Sequence, residues 1–167
     1  RLLRDWKVER ELWLTKHPLP WEPRVWGEYN ERFPLRVESW LDRGMGKCLL
    51  KQPGVRRIVC DALHHFDGER YEIAGFVVMP NHVHIAFQVV EGGLIEGIMH
   101  SWKSYTAKEI NKLTGSRGEL WQRGYWDRLI RSQVHFDRCI RYMRENPAVG
   151  SIRASEYTLY TRTDFEN

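Results

Sequence analysis

The chain has 167 residues, of which 42% are hydrophobic, with a formal net charge of +4 and a pI near 9.1; that suits one soluble domain with a real core. No apolar run approaches the ~20 residues that a membrane-crossing helix needs, and no secretory leader is visible. Cys48, Cys60 and Cys139 are scattered and odd in number, with no metal-ligand spacing, which argues against a disulfide framework and favours a cytoplasmic setting.

The chain opens at Arg1 rather than Met, so its natural start is expected upstream. Residues 1 to 17 read as a helix, with Leu2, Trp6 and Trp13 on roughly one face. Three prolines in KHPLPWEP interrupt it. Residues 28 to 42 read as a second helix, with Phe33, Val37, Trp40 and Leu41 at helical spacing. The clearest helix of this half covers 53 to 66, where Val55, Ile58, Val59, Ala62, Leu63 and Phe66 recur along one face and Pro53 suits the first turn.

Asp67-Gly68 is a turn, and Tyr71 to Met79 reads as a strand rich in Ile, Phe and Val. Pro80-Asn81 turns the chain into a second strand, His82 to Val90, so a hairpin is expected. Gly92-Gly93 ends it. A helix follows over 94 to 113, then a TGSRG loop, then an extended or strand segment from Leu120 to Ile130. Ser132 is suited to cap a helix from about 133 to 146, which Pro147 is expected to end. TLYTR near the C-terminus reads as a final short strand.

Three features carry chemistry. Residues two apart in a strand share a face, so His82 and His84 project together while Val83, Ile85 and Phe87 take the other side. Two such imidazoles can share a metal ion, or simply satisfy each other at the edge of a core. In SQVHFDRCIRYMRENP, Phe136, Ile140 and Met143 form an apolar stripe, and Tyr142 and Asn146 stack one turn apart on a different face. That pair offers a nucleophile and an oxygen ligand, or only an amphipathic tyrosine beside a helix end. Residues 101 to 144 hold ten Lys or Arg against four Asp or Glu, around the aromatic run WQRGYWDR. Cations interleaved with rings suit phosphates and bases, though a solvated surface has the same composition.

The order strand–PNHVH–strand, helix, GELWQRGYWDRLIR and a helix bearing RYMRENP resembles the single-tyrosine HUH transposases, and most closely the REP-associated tyrosine transposases, over residues 53 to 150. The resemblance implies that His82 and His84, with Val83 between them, bind Mg²⁺ or Mn²⁺, that Asn146 is the third protein ligand, and that Tyr142 is the catalytic nucleophile. It implies metal-dependent cutting and rejoining of single-stranded DNA beside repetitive extragenic hairpins through a 5′-phosphotyrosine. Trp121, Gln122, Arg123, Tyr125, Trp126, Arg128 and Arg131, with Lys103 and Lys108, are candidates to hold the DNA; for Trp121 and Trp126 core packing stands as the alternative. Arg123 is the stronger of these, since an interior position would strand its charge.

The expected architecture is α+β: an antiparallel, ferredoxin-like sheet with helices on one face and an N-terminal helical region. Residues 1 to 52 are expected to form an extension packed on the same domain as a catalytic core over 53 to 167. Relatives open with a strand of the type aromatic-x-V-T-F-R that is not found here, so it lies upstream or the sheet is built without it; either leaves the strand count and a homodimer open. The expected setting is the nucleoid. Rival readings are a domesticated hairpin-binding protein that does not cut, a metal hydrolase that uses water, and a structural domain with satisfied histidines.

Overall fold

A computed structural model describes residues 2–162. The chain falls into two compact units that divide between Arg43 and Gly44.

The first unit is three helices: α1 (Leu2–Lys16), α2 (Pro23–Arg32) and α3 (Pro34–Asp42). The single helix expected over 28 to 42 is two, and it begins earlier. Pro23 and Pro34 each stand at the first position of a helix, where a missing N–H costs nothing, and Pro34 cannot donate back into α2. Trp6, Trp13, Tyr29, Phe33 and Val37 are buried together. The indole of Trp6 donates to the Phe33 carbonyl at 3.3 Å, and that of Trp13 donates to Glu28 at 3.2 Å. Glu9 accepts from Arg36 and Arg32, which hold its carboxyl below the ordinary range.

The second unit contains α4 (Pro53–His64), β1 (Tyr71–Val78), β2 (Val83–Val89), α5 (Ile95–Thr114), α6 (Gln133–Val149) and β3 (Thr158–Thr161). Among the described residues the sheet has three antiparallel strands in the order β2-β1-β3. The flank of β1 opposite β2 is therefore taken by the C-terminal TLYT segment, and among the described residues no N-terminal strand pairs with the sheet. The α+β class, the antiparallel sheet and the N-terminal helical region stand as expected. The helices, however, divide between the two faces. Tyr71, Ile73, Phe76 and Val78 pack with Val55, Val59 and Leu63 of α4 and Ile98, Trp102 and Ile110 of α5. Ala74, Val77, Met79 and Ala86 pack with Ile140 and Met143 of α6. A bulge between Ile73 and Gly75 adds a residue to β1 and switches its alternation from odd to even positions. At Gly75 a Cβ would lie 3.0 Å from the Tyr160 carbonyl oxygen, so glycine is what lets β3 approach.

Leu120 to Ile130 is not a strand. Its carbonyl groups at Gln122 and Gly124 accept from the Lys103 ammonium at 2.5 and 2.8 Å, the Trp121 indole donates to the Thr106 hydroxyl at 2.8 Å, and Asn111 donates to Gly118 at 2.9 Å. Side chains of α5 thus take the place of a ladder. Nor does Pro147 end α6, which runs on to Val149. Proline there removes one late backbone bond, and the final turn is closed by Gly150 donating to Asn146 and Ile152 donating to Pro147.

One buried cation ties the ends of this unit together. Arg56 is 8% exposed and donates to the Leu50, Lys51 and Ser155 carbonyls and to the Thr158 hydroxyl. Every one of these bonds is to a neutral acceptor, so the charge is solvated by the protein rather than paired. Arg56→Met is expected to strand these acceptors and destabilise the fold by about 2–4 kcal/mol, measured by urea denaturation.

Candidate metal and nucleophile site

The hairpin turn presents the two histidines. The Met79 amide donates to the His82 carbonyl at 2.9 Å, so the ladder extends one residue beyond the start of β2. His82 and His84 therefore keep strand alternation and point to the same face as Ala86, the face that α6 covers. The turn is pinned from outside by Leu50, whose amide donates to the Pro80 carbonyl at 2.9 Å.

The ring nitrogens converge. His82 Nε2 and His84 Nε2 are 3.0 Å apart, with ring planes at 83°. Two ligands each about 2.1 Å from one ion at a right angle are themselves about 3 Å apart. The pair thus has the spacing of two adjacent positions in a coordination shell. His82 is oriented further by Asn81: His82 Nδ1 lies 2.7 Å from Asn81 Oδ1. The amide nitrogen of Asn81 donates to the Met45 carbonyl at 2.9 Å, which turns the amide oxygen toward the ring. His82 Nδ1 must then carry the proton, and Nε2 presents a lone pair toward the shared point.

Ser132 caps α6, its hydroxyl accepting from the His135 amide at 3.2 Å. At 100° per residue, Ile140 and Met143 turn inward to the sheet, which fits their burial, and Tyr142 and Asn146 share the flank toward β2. The Tyr142 ring stands edge-on to His84, with centroids 5.1 Å apart and planes at 82°. Tyr142 is 37% exposed, whereas Asn146 is 1% exposed. A half-open phenol beside an imidazole pair, with a buried amide one turn on, is an arrangement that can receive a solvent-borne phosphate against a cation. Two imidazole nitrogens at this spacing suit a divalent ion.

The other sequence candidates separate into two groups. Trp121 is half-buried and tied to Thr106, and Lys103 is turned to the loop carbonyls, where burial lowers its pKa; both hold the 119–131 loop in place. Gln122, Arg123, Trp126, Arg128, Arg131 and Lys108 are exposed, and Tyr125 is half-buried. Arg123 also meets Glu119 at 3.1 Å. Asn81 was not among the residues singled out from sequence; its place directly before a His-x-His turn was the available signal.

Residues 52–146 match the sequence model of the family described as transposase IS200 like. No significant match emerged among curated proteins or among solved structures.

Proposed function

The chain belongs to the IS200-like transposase family, and from that premise we propose that it cuts and rejoins single-stranded DNA through a phosphotyrosine on Tyr142, at hairpins of the REP type. The family processes DNA and generally works with a divalent metal, and no described helix is long and apolar enough to cross a membrane. The observation that supports the finer reading is the meeting of His82 Nε2 and His84 Nε2 at 3.0 Å beside the Tyr142 ring.

In this mechanism His82, His84 and Asn146 would hold the cation, which would neutralise charge developing on the scissile phosphate. The Tyr142 oxygen attacks phosphorus. A bond forms between that oxygen and phosphorus, the bond to the 3′ oxygen breaks, and the strand leaves as a free 3′-OH. The phenol titrates near ~10 in water, and its proton passes to solvent, which reaches the half-exposed side chain. The 3′ oxygen takes up a proton as it departs, so charge and protons balance. No water need be activated, and the phosphoester on Tyr142 keeps the bond energy for rejoining. Exposed Trp126, Arg128 and Arg131 and half-buried Tyr125 are suited to carry the strand, bases against rings and phosphates against guanidinium groups.

The test is strand cleavage of a single-stranded hairpin oligonucleotide with Mn²⁺, with Mg²⁺ and with chelator. Cutting with either ion and none with chelator is expected, Mn²⁺ being favoured because imidazole suits it better than it suits Mg²⁺. Tight binding with no cut product would instead mark a hairpin-binding protein that has lost cleavage.

Asn81→Ala frees the His82 ring to rotate and to change tautomer. Mn²⁺ affinity measured by titration calorimetry is expected to fall about 10-fold, in the range of lost outer-shell partners, with the fold retained.

A further inference from the structure

The segment that follows α5 is held by side chains rather than by backbone pairing. Among the described residues no amide from Leu120 to Tyr125 donates to a backbone carbonyl. Its ties come from one broad face of α5, in reverse order along the chain. Asn111 donates to the Gly118 carbonyl at 2.9 Å, the Thr106 hydroxyl accepts from the Trp121 indole at 2.8 Å, and Lys103 reaches the carbonyls of Gln122 and Gly124. Asn111 to Lys103 is about 12 Å of helix, and four extended residues cover about 13 Å, so the segment lies stretched along α5 from Gly118 to Gln122.

Lys103 makes the last of these ties, just before the run from Tyr125 to Arg131. Gly124, at φ +78°, takes the left-handed backbone that brings two carbonyls two residues apart onto one ammonium. Two of the three N–H donors of the ammonium are thus engaged by the loop. Both acceptors are neutral and the side chain is half-buried, and loss of water around the charge lowers its pKa. The neighbouring tie is anchored in the core: Thr106 is 2% exposed, and its hydroxyl donates to the Trp102 carbonyl at 2.6 Å.

We propose that Lys103 is a positioning residue for DNA: it fixes the course of residues 122–131, so that exposed Arg128 and Arg131 meet the strand already placed, and it takes no phosphate itself. The proposal rests on the reading that this loop holds single-stranded DNA but not on cleavage. A loop ordered before binding does not have to be ordered during it. Removing Lys103 therefore weakens binding without changing the number of phosphates that the protein neutralises.

The test follows binding of a single-stranded oligonucleotide by fluorescence anisotropy as salt is raised, in a Tyr142→Phe background so that no adduct forms. Lys103→Met keeps the aliphatic stem and removes the donors. Affinity should fall about 10-fold, the size of one or two side chains ordered at binding instead of before it, while the slope of log affinity against log salt stays as in the parent. Backbone NMR order parameters of residues 122–125 should drop from the rigid range near ~0.85 to ~0.6 or below, with those of α5 unchanged. Lys103→Arg, which can still donate to both carbonyls, should restore affinity and order. A slope reduced by about 0.7, the loss of one phosphate contact on a single strand, overturns the proposal whatever the loop does. So does a Lys103→Met variant that binds as tightly as its parent. A parent that binds no single strand removes the DNA reading itself, whereas a binding parent with an unaffected variant removes only the role of Lys103. Should Lys103→Met fail to fold, Lys103→Gln decides by the same readouts.

Discussion

Tyr142→Phe is expected to lower covalent protein–DNA adduct formation by about 10⁴-fold or more, since loss of a nucleophile removes the step rather than slowing it. Only the hydroxyl is deleted. The ring stays edge-on to His84, and the half-exposed position leaves no cavity, so thermal stability should change by no more than about 0.5 kcal/mol. DNA binding should persist, because the phosphate-holding and base-stacking groups are untouched. This separates a tyrosine nucleophile from activated water: a hydrolase holding the same ion would go on cutting in the phenylalanine variant and would leave no adduct in the parent.

The second large effect is His82→Ala. One of two converging nitrogens is removed, and the Asn81 amide oxygen is deprived of the ring proton it accepts. Mn²⁺ affinity should fall by about 100-fold or more, beyond the cost of an outer-shell change. His82 is 7% exposed, so truncation also leaves a small void and an orphaned acceptor, for about 1–2 kcal/mol of stability. Cleavage should be abolished at ordinary Mn²⁺ and partly restored at high Mn²⁺, while the salt dependence of DNA binding stays as in the parent. If calorimetry instead returned equal Mn²⁺ affinities for parent and variant, the histidines would be core residues that satisfy each other.

These effects follow from features that differ in how plainly the chain announces them. The His-x-His pair was legible because strand alternation is a short-range rule, and the backbone bond between Met79 and His82 carries it one residue past the formal strand start. Tyr142 and Asn146 were legible because one helical turn stacks them. What alternation hid was the bulge at β1. YEIAGFVVM is apolar at nearly every position, the pattern of a strand covered on both faces, and the bulge moves its odd and even residues between α4–α5 and α6. Helices on both faces were thus written in that run, though a face count without the bulge misplaces them. Prolines misled in both directions: Pro34 opens α3 where one helix was expected, and Pro147 sits inside α6 where an end was expected. At Pro34 the missing N–H costs nothing because the position opens a helix, whereas at Pro147 one bond is lost and Gly150 and Ile152 close the final turn instead. Arg56 and Asn81 were beyond local pattern, because their partners come from segments up to 102 residues away.

The central claim is that Tyr142 becomes joined to DNA while a cation sits between His82 and His84. It is tested most directly by incubating the full chain with a single-stranded hairpin oligonucleotide and Mn²⁺, digesting the complex, and reading the peptide that contains Tyr142 by mass spectrometry. The account predicts that this peptide carries a 5′-phosphorylated nucleotide on the tyrosine oxygen, only when metal is present, with the released strand ending in a 3′-OH. Cut DNA with a free 5′ phosphate and an unmodified Tyr142 peptide would contradict it.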